Sequence, residues 1–118
     1  MAYTEKYKRD NARKTNSKLN PDGYIYIVKL KGFDIYKIGV SNNPNRRLRD
    51  INSYMPFEVE LLMIEWFKNA YNLEECIHDN LKDKLLRHEW FRLTENQISD
   101  IIIALKNMSA VGNFLIRK

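Results

Sequence analysis

With 118 residues, 44% apolar and 30% charged, the chain has material for one modest core and not for two, in the proportions of a soluble globular protein. Its longest wholly apolar run, Ile101–Leu105, is far too short to cross a bilayer, and the charged N-terminus lacks the apolar stretch of a signal peptide, so a cytoplasmic location is expected. A single cysteine, Cys76, excludes an internal disulfide, and with only His78 and His88 beside it a four-ligand structural zinc site is disfavoured.

The net charge of +5 is concentrated at one end. Residues 1–20 hold six basic side chains against two acidic ones, whereas the remaining 98 residues hold fourteen against thirteen. Without apolar periodicity this segment reads as a basic arm. Such arms touch phosphates through counterion release or simply solvate the chain, and composition alone leaves both open.

Next come two strands, Tyr24–Leu30 and Ile35–Val40, joined by the short loop Lys31-Gly32-Phe33-Asp34. If Leu30 faces Ile35 across the loop, Val28 faces Lys37. Side chains alternate along a strand, so Tyr26, Val28, Lys37 and Gly39 then share one face, with Tyr26 and Lys37 diagonal neighbours roughly 7–8 Å apart at Cα. Asn43 suits an N-cap and Pro44 a first helical position; the helix they open carries Leu48 and Ile51 inward and spreads Arg46, Arg47 and Arg49 around it.

After Met55-Pro56-Phe57, the stretch Glu58–Phe67 sets Val59, Leu61 and Met63 on one face and Leu62, Ile64 and Trp66 on the other, which predicts a central strand covered on both sides. Ala70–Leu86 repeats apolar residues at Leu73, Ile77, Leu81 and Leu85, predicting an amphipathic helix capped by Asn69 or Asn72, with Arg87 and His88 complementing its C-terminal dipole. Glu89–Leu93 is a short extended segment. Thr94-Glu95-Asn96-Gln97 reads as a capping box opening a last helix with Ile98, Ile101, Ile102 and Leu105 inward. The predicted organisation is an arm (1–20), an α+β domain with a three-stranded antiparallel sheet flanked by helices (21–93), and a C-terminal helix and tail (94–118).

The pair Gly23-Tyr24-Ile25-Tyr26 and Tyr36-Lys37-Ile38-Gly39, followed by an arginine helix, resembles the GIY-YIG nuclease superfamily. It looks like a phage-associated subgroup with a Y-K-I-G second motif and a later E-W-F, here Glu89-Trp90-Phe91. The superfamily's second tyrosine stands two residues before the glycine, a place held here by Lys37. The resemblance implies metal-dependent hydrolysis of DNA phosphodiester bonds, with one Mg²⁺ or Mn²⁺ on Glu74 of Leu73-Glu74-Glu75-Cys76-Ile77-His78.

In that chemistry Tyr26 takes a proton from water, a step its ordinary pKa of about 10 opposes and a neighbouring Lys37 eases. Arg47 gives donors to the non-bridging oxygens. His78, one turn beyond Glu74, either orients a water or phosphate or is a core histidine satisfied by hydrogen bonds. Lys14, Lys18, Tyr36, Arg46 and Arg49 are the candidate nucleic-acid contacts, to DNA first and RNA second. Two other readings stand beside the nuclease: a nucleic-acid-binding or regulatory module with weak or lost chemistry, and a protein-interaction factor that docks or dimerises through its apolar C-terminal helix.

Overall fold

The computed structural model describes residues 21–116, with side chains to residue 110; the basic arm, including Lys14 and Lys18, lies outside the described residues. The hairpin forms as its loop chemistry requires. Strand β1 (Gly23–Leu30) pairs antiparallel with β2 (Ile35–Ser41), Val28 opposite Lys37 and Tyr26 opposite Gly39. The turn closes with Phe33 N–H donating to the Leu30 carbonyl at 3.0 Å, and Gly32 takes a φ of +87° that few side chains tolerate.

Helix α1 (Pro44–Tyr54) starts as local chemistry dictates, with Pro44 at its first position and the Asn43 side chain accepting from Arg46 N–H at 3.2 Å. Ile51 is its buried residue, against Tyr26 and Val28. Strand β3 (Val59–Phe67) follows. The expected three-stranded sheet with β3 at its centre is corrected, among the described residues, to five antiparallel strands in the order β3-β1-β2-β5-β4, with β3 at an edge.

The assignment of β3 side chains to faces is corrected as well. The β1–β3 register shifts between Ile27 and Val28, so that Ile27 opposes Met63 while Val28 opposes Leu61 and Leu62 is the extra residue. This β-bulge re-phases the alternation. Val59, Leu61, Ile64 and Trp66 fall on the α1 face, and Met63 and Phe67 on the other. The strand is apolar on both sides, as read, but the bulge changes which residues share each side.

Helix α2 (Ala70–Asn80) ends six residues before the predicted Leu86. A short 3₁₀ turn (Lys82–Lys84) leads into β4 (Leu85–Arg87), a two-residue turn with His88 at φ +59°, and β5 (Trp90–Arg92). Pairing of β5 with β2, remote in sequence, wins over continuation of the helical stripe; Leu85 and Leu86 are exposed, and Arg87 and His88 belong to the hairpin and not to a helix end. Asn69 opens α2 from the left-handed region without a side-chain cap, and Asp22 Oδ1 accepts from its N–H at 2.8 Å. The capping box of α3 (Glu95–Ile116) is formed in both directions, Thr94 N–H to Gln97 Oε1 at 2.9 Å and Gln97 N–H to Thr94 Oγ1 at 3.1 Å.

The sheet separates two apolar clusters. Ile25, Ile27, Ile38, Val40, Met63, Phe67 and Phe91 pack with α2 and α3 on one side; Tyr26 and Val28 pack with Ile51 and Leu48 of α1 on the other. No helix among the described residues is long and apolar enough to cross a membrane.

Candidate functional site

The candidate residues gather around Gly39. Tyr26, directly opposite it on β1, is 1% exposed, and its phenol lies across the Gly39 backbone. A β-carbon at position 39 would sit 2.6 Å from the ring Cζ and nearer still to the hydroxyl, so only glycine admits the ring in this pose. The tyrosine of the first motif and the glycine of the second are therefore one packing unit.

Lys37 shares this face, and its ammonium is already engaged. Nζ donates to Glu89 Oε2 at 2.6 Å, with both side chains less than a tenth exposed, and stands 5.7 Å from the centroid of the Trp90 ring. The β2–β5 register places Trp90 opposite Lys37 and so brings Glu89 alongside. Glu89 thus offsets part of the positive charge that would favour a Tyr26 phenolate. The partnership spans 52 residues, and the E-W-F segment is its one sequence signal.

From the other side of the sheet α2 reaches the same stretch of β2. The β2–β5 pairing stops at Lys37, leaving the Ile38 carbonyl beyond the ladder, and His78 Nε2 donates to it at 2.8 Å. The His78 ring also packs on Phe91, 5.1 Å between centroids. A protonated Nε2 neither accepts from water nor holds a metal, and the bond fixes the ring in place, as a satisfied histidine requires.

At the other end of α2, Tyr71 N–H donates to the Pro21 carbonyl, beside the start of β1. The helix therefore runs from the Ser41 end of β2 toward Ile38. Glu74 lies one turn before His78 on the same helix, about 6 Å along its axis. It is 1% exposed, where sequence alone put it at the flank of the buried stripe.

The arginines are differently placed. Arg46 and Arg49 are exposed and Arg47 half-buried, and among the described residues none of the three enters an ion pair. The first turn of α1 carries no acid although Arg46 and Arg47 stand there, at the positive end of the helix dipole, where basic side chains weaken a helix. Helix stability does not explain them.

Tyr36 is the clear misplacement. It faces away from Tyr26 into the larger cluster at 1% exposure, so it is a core residue and not a nucleic-acid contact. Burial first, then the carboxylates of Asp34, Glu95 and Glu60, hold its phenol above the ordinary value.

Comparison with known proteins corrects the resemblance to the GIY-YIG superfamily, because the family model that matches is a distinct one. The chain is 34% identical over 86 residues to "Uncharacterized protein 460R" of Invertebrate iridescent virus 6, a match covering 68% of this chain and 39% of that protein, so it spans about two fifths of the length of this curated relative. No solved structure matches. The model of the T5orf172 domain covers residues 23–106, from the first glycine of β1 into α3, and the chain belongs to the T5orf172 domain family.

Proposed function

We propose that this domain is an endonuclease that hydrolyses DNA phosphodiester bonds with one divalent cation, Mg²⁺ or Mn²⁺. T5orf172 domains are associated with nuclease-like functions. The observation that carries the reading is the Tyr26 phenol seated on Gly39, with the buried carboxylate of Glu74 on α2 and, among the described residues, α1 arginines that enter no ion pair.

The donor chemistry fits such an ion in one respect: Glu74 offers a hard carboxylate, and Mg²⁺ takes few protein ligands and keeps several waters. Among the described residues no group of three or more His, Cys, Asp or Glu is assembled for metal binding, so Glu74 would act alone. When bound, the ion supplies charge neutralisation at the phosphoryl oxygens.

In this reading Tyr26, fixed by the glycine beneath it, acts as the phenolate and takes the proton of the attacking water. Arg47 gives donors to the non-bridging oxygens, and Arg46 and Arg49 hold flanking phosphates. Lys37, oriented by Glu89 and Trp90, borders the tyrosine as a positioning residue.

Nicking of supercoiled plasmid by the purified chain tests the proposal. Cleavage is expected with Mg²⁺ or Mn²⁺, abolished by EDTA, and reduced about 100-fold or more by each of Tyr26→Phe, Arg47→Ala and Glu74→Gln. Metal-dependent nicking that survives all three substitutions overturns the site. A second reading, a nucleic-acid-binding module without efficient chemistry, draws on the 1% exposure of Tyr26 and the engagement of Lys37 by Glu89. Salt-sensitive DNA binding with no nicking would select it, and an RNA arm of the same assay decides between the two nucleic acids.

A further inference from the structure

Two aromatic side chains on the α1 face are left open at the end of the sheet where α1 begins. Tyr24 and Trp66 are direct cross-strand partners on β1 and β3, 36% and 38% exposed. Tyr24 stands two residues before Tyr26 on the same face, about 6.6 Å away along the strand. Opposite it on β2 is Ser41, from which the chain passes directly into the Asn43 cap of α1.

The backbone beneath Trp66 is held, since the Ser109 hydroxyl of α3 reaches the Trp66 carbonyl at 3.5 Å and Glu65 Oε2 at 3.2 Å, while the indole itself projects to the other side. A pair of part-exposed rings on a fixed strand backbone, beside a helix with three arginines that enter no ion pair among the described residues, combines the two elements of single-strand recognition: a stacking surface and a cationic track.

We infer that Tyr24 and Trp66 form a stacking platform for unpaired DNA bases, and that the substrates of this domain carry a single-stranded stretch, as at a gap, flap or fork. The inference deepens the nuclease proposal and rests on it only for the identity of the ligand as nucleic acid. Bases inside a duplex are already stacked on one another, and a sheet face that projects two rings does not enter a groove; bases of a single strand present their faces to it. Arg46 and Arg49 then take the phosphates of the same strand while the platform takes its bases, which leads the backbone past Tyr26.

Binding in EDTA, without cleavage, tests this on the full chain with a fluorescent oligo(dT) and a blunt duplex of equal length. The single strand is expected to bind at least tenfold more tightly than the duplex and to quench tryptophan emission. Trp66→Ser and Tyr24→Ser should each weaken single-strand binding about tenfold, the scale of one base–aromatic stack, and leave duplex binding within twofold. Trp66→Phe, which retains a ring, should keep the affinity and lose the quenching, separating stacking from any effect on folding. Equal affinity for the two oligonucleotides, or quenching that survives Trp66→Phe, overturns the platform while leaving the nuclease proposal standing. Failure to bind either one overturns both.

Discussion

The two faces of the sheet are built to different rules. Among the described residues, thirteen buried apolar side chains fill the face under α2 and α3, whereas the cluster under α1 has three, Tyr26, Val28 and Ile51. One of those three, Tyr26, is clamped over a glycine, and beside the cluster lie a buried ion pair and two open aromatic rings. Apolar burial scales with area, so the α2/α3 face carries most of the folding free energy. The α1 face is released from that duty and holds polar groups that a uniformly packed core would exclude. Glu74, on α2, is the exception among the candidate residues of the proposed site; apart from it, substitutions on the two faces should separate stability from chemistry.

The largest expected effect is at the ion pair. Glu89→Ala leaves the Lys37 ammonium buried without its carboxylate and should cost about 3–5 kcal/mol in urea unfolding, whereas replacing both partners by Lys37→Met and Glu89→Leu should come within about 1–2 kcal/mol of the parent. A single substitution no more harmful than the double one would show that the pair is solvated and that the α1 face is not a buried polar one.

Next in size is Gly39→Ala. The added methyl meets the Tyr26 ring, so a loss of about 1–3 kcal/mol is expected together with loss of nicking; adding Tyr26→Ala should return part of the stability and none of the activity. If Gly39→Ala alone is neutral in both assays, the clamped phenol is not a fixed element.

Smaller again is Thr94→Ala, which removes one arm of the capping box of α3 and should lower stability by about 1 kcal/mol without altering the nicking rate of the folded protein, as befits the structural face. A change in the rate would join the two faces that the contrast keeps apart.

The smallest effect is a pH dependence. The Tyr36 phenol titrates above its ordinary value of 10.0 in the folded chain, so the native state keeps that proton where the unfolded chain has lost it. Its contribution is intact below about pH 10 and fades as pH rises through the folded value. Tyr36→Phe should therefore flatten the alkaline limb of the stability curve, and an unchanged limb would show that Tyr36 titrates alike in both states.

What was legible in the sequence was what local chemistry decides. The Lys31–Asp34 loop fixed the hairpin register, and with it the sharing of one face by Tyr26, Lys37 and Gly39. Asn43-Pro44 and Thr94-Gln97 announced the starts of α1 and α3 through hydrogen bonds spanning three residues. What escaped was settled between distant segments. The Leu73–Leu85 stripe runs on past Asn80 with nothing nearby to stop it, because the competitor is a strand pairing with β2 that periodicity does not encode. The engagement of Lys37 by Glu89 is of the same kind, since neither residue carries a local mark of the other. At the site, Tyr26 and Glu74 are legible as chemical types, but the seating of the Tyr26 ring on the bare backbone of Gly39 and the burial of Glu74 depend on packing between segments.

The extra residue at Leu62 has a consequence beyond the re-phasing of β3. Among the described residues β3 is an outer strand nine residues long and rich in Leu, Ile and Val, the kind of edge that invites a second chain to add itself in register. A bulge in mid-strand interrupts the even spacing of its outward amide and carbonyl groups, and the exposed Glu60 adds charge along the edge. The irregularity that hides this strand from simple alternation also makes the protein a poor template for its own aggregation.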